Sequence, residues 1–327
     1  MDSAKPISNV SDAIRNLYYA RVDTARAVMY SYIFRPAAYF LPVPVIGVLA
    51  GLGAAVLVLL DGFGSTGRQY RTTVGSAMQG IRLYWLQQAR RFFEHSWQHM
   101  IIAGKDPPGR YRFRVECSEA VRQIMDGTES FVLASGHFLR GPATLGITVP
   151  EVGRRRMFIA FAEPPSAPRD AHEWRIAVQL KLTLRSTKAW SPKDWVQAVY
   201  RGRALAHVLS EMRKKPAMLF VNVDAHWSKG HGETITVPFA GFAARTFSTG
   251  AARAARLVGC PLLLMIPTPA KGRDVTIRIL GPYTSEQESE LERDAEIMKK
   301  VLKDVEAAIA EFPDQYVLEL GRDRPWR

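Results

Sequence analysis

The sequence predicts an α/β protein: a central, mainly parallel sheet flanked by helices, behind an N-terminal membrane-anchoring helical region. Three observations carry this expectation. Past residue 104, unbroken apolar runs of strand length alternate with helical patterns. Between Ala37 and Leu60 the chain is almost free of ionisable side chains. The whole chain of 327 residues holds 44 Lys and Arg against 31 Asp and Glu, a formal charge of +13, so part of its surface should attract anions. Its 47% apolar content is ample for a core, which excludes a disordered binder.

The N-terminal stretch "MDSAKPISNVSDAIRN" contains acidic residues and no early apolar run, which argues against a cleaved secretory signal. The segment "AAYFLPVPVIGVLAGLGAAVLVLL" follows, with Tyr39 its sole ionisable residue, and a helix of that length would reach across a hydrocarbon core of roughly 30 Å. Pro42 and Pro44 place the start of regular helix near Val45, which leaves a short span and keeps open a segment lying in the membrane rather than through it. Gly47 and Gly51 form a G-x-x-x-G pair that permits close helix approach. A buried core helix is the other reading. Arg15, Arg21, Arg26 and Arg35 precede the segment, and Arg68, Arg71 and Arg82 follow it. Positive charge on both flanks sets no orientation but suits an anionic leaflet.

In "IRLYWLQQARRFFEHSWQHMI", Ile81, Trp85, Ala89, Phe92, Phe93, Trp97 and Met100 recur at helical spacing, with Arg82, Arg90 and Arg91 elsewhere on the helix. Such a stripe suits a lipid interface and core packing equally. The turn-forming "GKDPPGR" then marks a break, so residues 1–103 are expected to form the anchoring and amphipathic region and 104–327 the α/β domain.

Within that domain, strands are expected at 131–134, 157–161, 217–223, 262–266 and 274–280, most of them unbroken apolar runs of the kind covered on both faces. Helices are expected at 117–126, 193–213, 247–258 and 286–311. Cys117 and Cys260 lie far apart in apolar or strand-like surroundings, as reduced core thiols do, which fits a cytoplasm-facing domain.

In open α/β folds, chemistry collects on loops at the carboxyl ends of strands. Here those loops are "SGHFLRGP", "AEPPSAPRD", "DAHWSKGHGE" and "PTPAKGRD". Asp224, His226 and His231 offer an oxygen and two imidazoles, but their spacing matches no helical two-histidine site, and no metal is expected. Thr246, Ser248, Thr249 and Gly250 precede a helix whose start suits either a phosphate or a plain cap from Ser248 or Thr246. No G-x-S-x-G elbow, Walker loop or dinucleotide fingerprint is present. Basic residues are spread among helices without a recognised nucleic-acid module, so no nucleic-acid partner is expected.

Three stretches carry a resemblance: "FVLASGHFLRG", "LFVNVDAHWSKGHGETITVPFAGFAARTFSTGAARAARLVGCPLLLMIP", and the terminal "EFPDQYVLEL". Together, in this order and with the apolar anchor, they resemble the late acyltransferases of lipid A biosynthesis, the lauroyl/myristoyl group of the lysophospholipid acyltransferase superfamily, over roughly residues 40–327. The resemblance implies acyl transfer from an acyl carrier protein or acyl-CoA thioester to a hydroxyl or amine, at the cytoplasmic face of the cell inner membrane in lipopolysaccharide biosynthesis. Anionic lipid would be a partner, and no metal or redox cofactor would be required.

The family's H-x-x-x-x-D/E signature pairs a general-base histidine with an orienting acid. His137 takes the base position, and Pro142 stands where the acid belongs. The family arginine at the end of the following strand is also replaced, by Ala162 or Glu163. The expectation is therefore that the acid has moved, with Glu163, or as second choice Asp224, orienting His137. Arg140 would supply part of the missing positive charge. Gly136 would sit under the acyl carbonyl, and Arg140, Lys229 and Arg245 would hold phosphate groups. The alternative is a non-catalytic protein of the same fold that binds lipid or a partner protein.

Overall fold

The computed structural model describes residues 21–60, 76–138, 141–161, 171–200, 203–224 and 233–316. Residues 21–29 are helical and pass through a π-helical turn, Tyr30–Phe34, into α1 (Arg35–Phe40), which ends at extended Leu41 just before Pro42. Next comes α2 (Val43–Leu60), with Pro44 in its first turn, where a missing N–H costs no helical bond. The long α3 (Ala77–Ile102) begins at Ser76, whose hydroxyl accepts the Gln79 N–H at 3.2 Å.

The aromatic stripe of α3 packs on protein. Phe92 stacks on Phe34 with ring centroids 4.4 Å apart, and Trp97 meets Trp190 edge-on at 5.5 Å. The opposite side is buried as well: Gln87, Gln88, Glu94, His95, Ser96 and Gln98 are all shielded. Of the stripe's large apolar side chains, Trp85 alone is exposed. Burying so many polar groups requires partners. Arg26, fully buried, donates to Gln88 Oε1 at 3.1 Å and to the Tyr84 hydroxyl at 3.0 Å, and pairs with Asp23 at 3.2 Å.

Beyond α3 the chain runs β1 (Arg112–Cys117), α4 (Glu119–Asp126), β2 (Phe131–Ser135), α5 (Pro142–Gly146), α6 (Pro150–Gly153), β3 (Arg156–Phe161), α7 (Ala171–Trp190), β4 (Val196–Tyr200), α8 (Arg203–Lys214), β5 (Ala217–Asn222), β6 (Thr234–Phe239), β7 (Phe242–Ser248), α9 (Gly250–Val258), β8 (Leu262–Pro267), β9 (Asp274–Leu280) and α10 (Glu290–Glu311). Seven strands form one sheet in the order β1-β9-β8-β2-β5-β3-β4, parallel throughout except for the antiparallel β8/β9 pair. The class is therefore α/β with a mostly parallel sheet between helices.

All five expected strands are present within a residue or two. Alternate side chains of β2 explain its unbroken apolar run: Val132 and Ala134 join one core and Phe131 and Leu133 the other. The helix expected over 193–213 is instead two elements. Val196–Tyr200 pairs in parallel with β3, and the helix proper starts at Arg203. Its apolar residues served both periods, and pairing with β3 decided between them. Edge strand β1 lies outside the expected pattern: its charged side chains face outward in strict alternation, so it has no unbroken apolar run. Helix α7 and the β6–β7 hairpin are also additions to the expected pattern. The hairpin turns through Ala240 and Gly241, both with positive φ (50° and 83°), and Glu306 accepts the Ala240 N–H at 2.7 Å.

Cys117 and Cys260 are free thiols, each partly buried, and burial pushes the Cys260 thiol up to about 12.

Candidate active site

Strands β2 and β5 are parallel neighbours, with Ser135 directly opposite Asn222. One further rung, Val223 N–H to Ser135 C=O at 3.0 Å, extends the pairing. His137 and Asp224 each lie two residues beyond that register pair, so two identical overshoots bring them together. From β2 the chain turns to α5 and α6 on one face, and from β5 it passes to the hairpin and α9 on the other. Diverging connections of this kind leave a crevice at the carboxyl edge of the sheet.

Asp224 receives His137 twice. The backbone N–H of His137 donates to Oδ2 at 2.7 Å, and ring Nδ1 lies 2.5 Å from Oδ1. An ionised carboxylate can only accept, so Nδ1 carries a proton, and in the neutral ring the lone pair is then on Nε2. Asp224 is fully buried while the His137 side chain is 23% exposed, so the pair has a dry side and a wet side. Burial by itself would raise the Asp224 carboxyl. Positive charge on the His137 ring, and hydrogen bonds from that ring and from the His137 backbone N–H, outweigh burial and hold the carboxyl below the ordinary carboxylate value, and the nearby Tyr316 hydroxyl acts in the same direction.

Tyr316 is the participant that the sequence did not single out. It lies just past the short turn Pro313–Gln315, forms a backbone bridge with Phe138, and packs its ring edge-on against the Phe138 ring at 5.7 Å. Its hydroxyl is buried without a hydrogen bond of good geometry, yet it acts on Asp224. Burial, then the Asp224 charge, keep it a neutral phenol far above its usual titration range. The signal available in the sequence was its place in the "EFPDQYVLEL" segment. Sequence spacing gives no hint that this tyrosine returns to a loop almost 180 positions earlier.

Of the other expected site residues, Gly136 sits where a Cβ would come within 2.7 Å of the Phe138 ring and 3.1 Å of Val305, so close packing requires glycine there. Arg245, on β7, is buried near Tyr316 and bears on its hydroxyl electrostatically. Arg140, Glu163, Lys229, His226 and His231 lie outside the described residues. Pro142, where the resemblance would place an acid, opens α5 as its first residue. The expected cap of α9 is different in detail. Thr249 holds the N-cap position with its hydroxyl bonded to Glu233 C=O, Ser248 accepts the Gly250 N–H at 3.1 Å, and Thr246 pairs with Thr236 across the hairpin.

A carboxylate-held imidazole at a sheet's carboxyl edge can take a proton from a hydroxyl, amine or water, and return it to a leaving group. No family model matches the chain. No curated protein matches it with significant similarity.

Proposed function

We propose that the chain is a membrane-associated acyltransferase in which His137 is the general base and Asp224 its orienting acid. Nε2 takes the proton from an acceptor hydroxyl or amine as that atom attacks the carbonyl carbon of an acyl thioester. The tetrahedral intermediate then expels the thiolate, and the imidazolium gives its proton to sulfur. The products are an ester or amide and a free thiol, with His137 restored. Asp224 fixes the ring tautomer and stabilises the transient imidazolium. The one observation that carries this reading is the double attachment of His137 to the buried Asp224, which supplies the acid that Pro142 cannot.

The donor would be acyl carrier protein or acyl-CoA, the acceptor a lipid-borne alcohol or amine, and the location the cytoplasmic face of the inner membrane. Support comes from the resemblance in motif order and from the apolar N-terminal helix, whose mean hydropathy is 2.6. Purified protein offered acyl thioesters and membrane lipid should release thiol in step with acylated product detected by mass spectrometry. His137→Ala should abolish both while vesicle binding persists. If His137→Ala and the parent give identical lipid profiles, the chain is a non-catalytic binder.

A further inference from the structure

The direction in which α2 lies follows from what its two ends touch. Near its start, Ile46 packs with Met100 at the far end of α3. In its middle, a Cβ on Gly53 would lie 3.3 Å from Phe92. Near its end, Val58 joins the same core as Leu83 and Tyr84 at the start of α3. The two helices therefore run side by side in opposite directions, and Trp85 Nε1 donates to Gly51 C=O between them at 3.0 Å.

Helix α3 is in turn fixed to the α/β domain along its whole length. At one end Trp97 and Ile101 cluster with Leu145 and Trp190, and at the other Leu83 and Tyr84 enter the main core. Between these, Gln87 donates to Pro313 C=O at 2.8 Å and Arg90 pairs with Asp314 at 2.5 Å. Helix α2 thus lies flat along the flank of the domain. A bilayer crossing would carry that flank into hydrocarbon, where unpaired charge is expensive.

The outer side of this layer is apolar and cationic. Among the described residues, every exposed large apolar side chain except Leu257 and Leu291 falls between Val28 and Trp85. Phe40 is 83% and Tyr32 78% exposed, and both line an open apolar hollow of about 270 Å³. On α2 the exposed positions Val45, Val48, Leu52, Val56 and Leu59 form one stripe at helical spacing. The described acidic side chains of the layer, Asp23 and Glu94, are buried, while Arg21, Arg35 and Arg82 are exposed. An anionic leaflet complements both the stripe and its charges.

We propose that α1 and α2 form an in-plane seat on a single anionic leaflet, with Tyr32, Phe40, Val48, Leu52, Val56 and Leu59 at the acyl-chain boundary, and that α2 does not cross the bilayer. This deepens the membrane-associated reading above and rests on it, but not on acyl transfer.

The test places a nitroxide at Val45→Cys, Leu52→Cys and Leu59→Cys in the full chain, one at a time, with label on Cys117 and Cys260 measured in the parent and subtracted. Depth is read by electron paramagnetic resonance in vesicles of phosphatidylcholine and phosphatidylglycerol. An in-plane helix puts all three labels at one shallow depth, within about one helical turn of 5 Å. A crossing helix separates Val45 from Leu59 by about 21 Å, and that gradient would overturn the seat. So would three labels that stay in water with vesicles present. Equal shallow depths in a protein without transferase activity would support the seat and remove the enzymatic reading alone.

Discussion

The side chain and the backbone N–H of His137 bind opposite oxygens of one carboxylate, Asp224, at 2.5 and 2.7 Å. The backbone N–H anchors the same carboxylate that the ring meets, so the tautomer and the direction of Nε2 are fixed together. The cost is a buried anion, tolerable because the hydrogen bonds and the neighbouring imidazole favour its charged form.

Asp224→Asn tests that charge. The amide oxygen can still accept one N–H, so the fold should survive, but an amide neither enforces the tautomer nor stabilises imidazolium. Thioester turnover should fall on the order of 10³- to 10⁴-fold, with circular dichroism unchanged. A loss of less than tenfold would remove Asp224 from the proposed role.

Tyr316→Phe removes the phenol that faces Asp224 and keeps the ring on Phe138. Because that hydroxyl has no hydrogen bond of good geometry, the expected stability loss is small, about 1 kcal/mol or less. Turnover should drop about three- to tenfold at unchanged KM, the signature of a positioning residue. Kinetics within twofold of the parent would show that Asp224 needs no help from Tyr316.

Arg155→Met probes the sheet's support rather than its chemistry. Arg155 is buried and donates to the C=O groups of Ile124, Met125, Gly127 and Glu129 at 2.6–2.8 Å, closing the end of α4 where carbonyls lack helical partners. Methionine fills the volume but satisfies none of them. Unfolding in denaturant should show a loss of about 3 kcal/mol or more, and a loss under about 1 kcal/mol would mean that water replaces the guanidinium.

Acid should loosen the helical layer first. Burial, and then the nearby His99, lower His95 from 6.5 to about 3, and burial lowers His99 to about 4, with Arg35 acting against the charge on both and Arg185 on His99. Both folded values lie below the unfolded one. The stability they protect is therefore intact above about pH 6.5, declines as pH falls because the unfolded chain takes up protons that the folded chain refuses, and levels off below about pH 3. His95→Gln should flatten the slope of stability against pH by about one proton between pH 6 and 4. An unchanged slope would mean that His95 does not stay neutral in the folded protein.

How much of this was legible in sequence differs between fold and site. Apolar runs such as "FVLAS" and "LLLMIP", short and bounded by turn signals, suit strands shielded on both faces, because successive side chains then enter cores on opposite sides of the sheet. The alternation in "RFRVEC" and the apolar residues of "VQAVY" are weaker, since an edge strand needs only one covered face and a short run fits either period. For α3, the pattern displayed an apolar stripe but not that Gln87, Gln88 and Glu94 on its other sides would also be enclosed, because Arg26, the Pro313 turn and Gln179 of α7 reach sides that composition marks as polar.

His137 could be singled out because it follows a strand and a Ser-Gly turn, and both Glu163 and Asp224 stood as candidate partners. Choosing Asp224 as the residue that meets His137 required the order of strands, with β5 rather than β3 beside β2. Tyr316 depended on a still longer closure, the return of the chain after α10 to the loop behind β2.

The sequence by itself determined the five apolar strands of the sheet, the two-faced burial of most of them and the apolar, basic character of the N-terminal layer, since these follow from the local order of side chains. Tertiary structure alone decided which acid reaches His137, that Tyr316 lies behind it, and that α2 lies along the domain. Each of those is a contact between residues far apart in the chain, set by strand order and helix packing, and no local pattern encodes which distant loop will arrive.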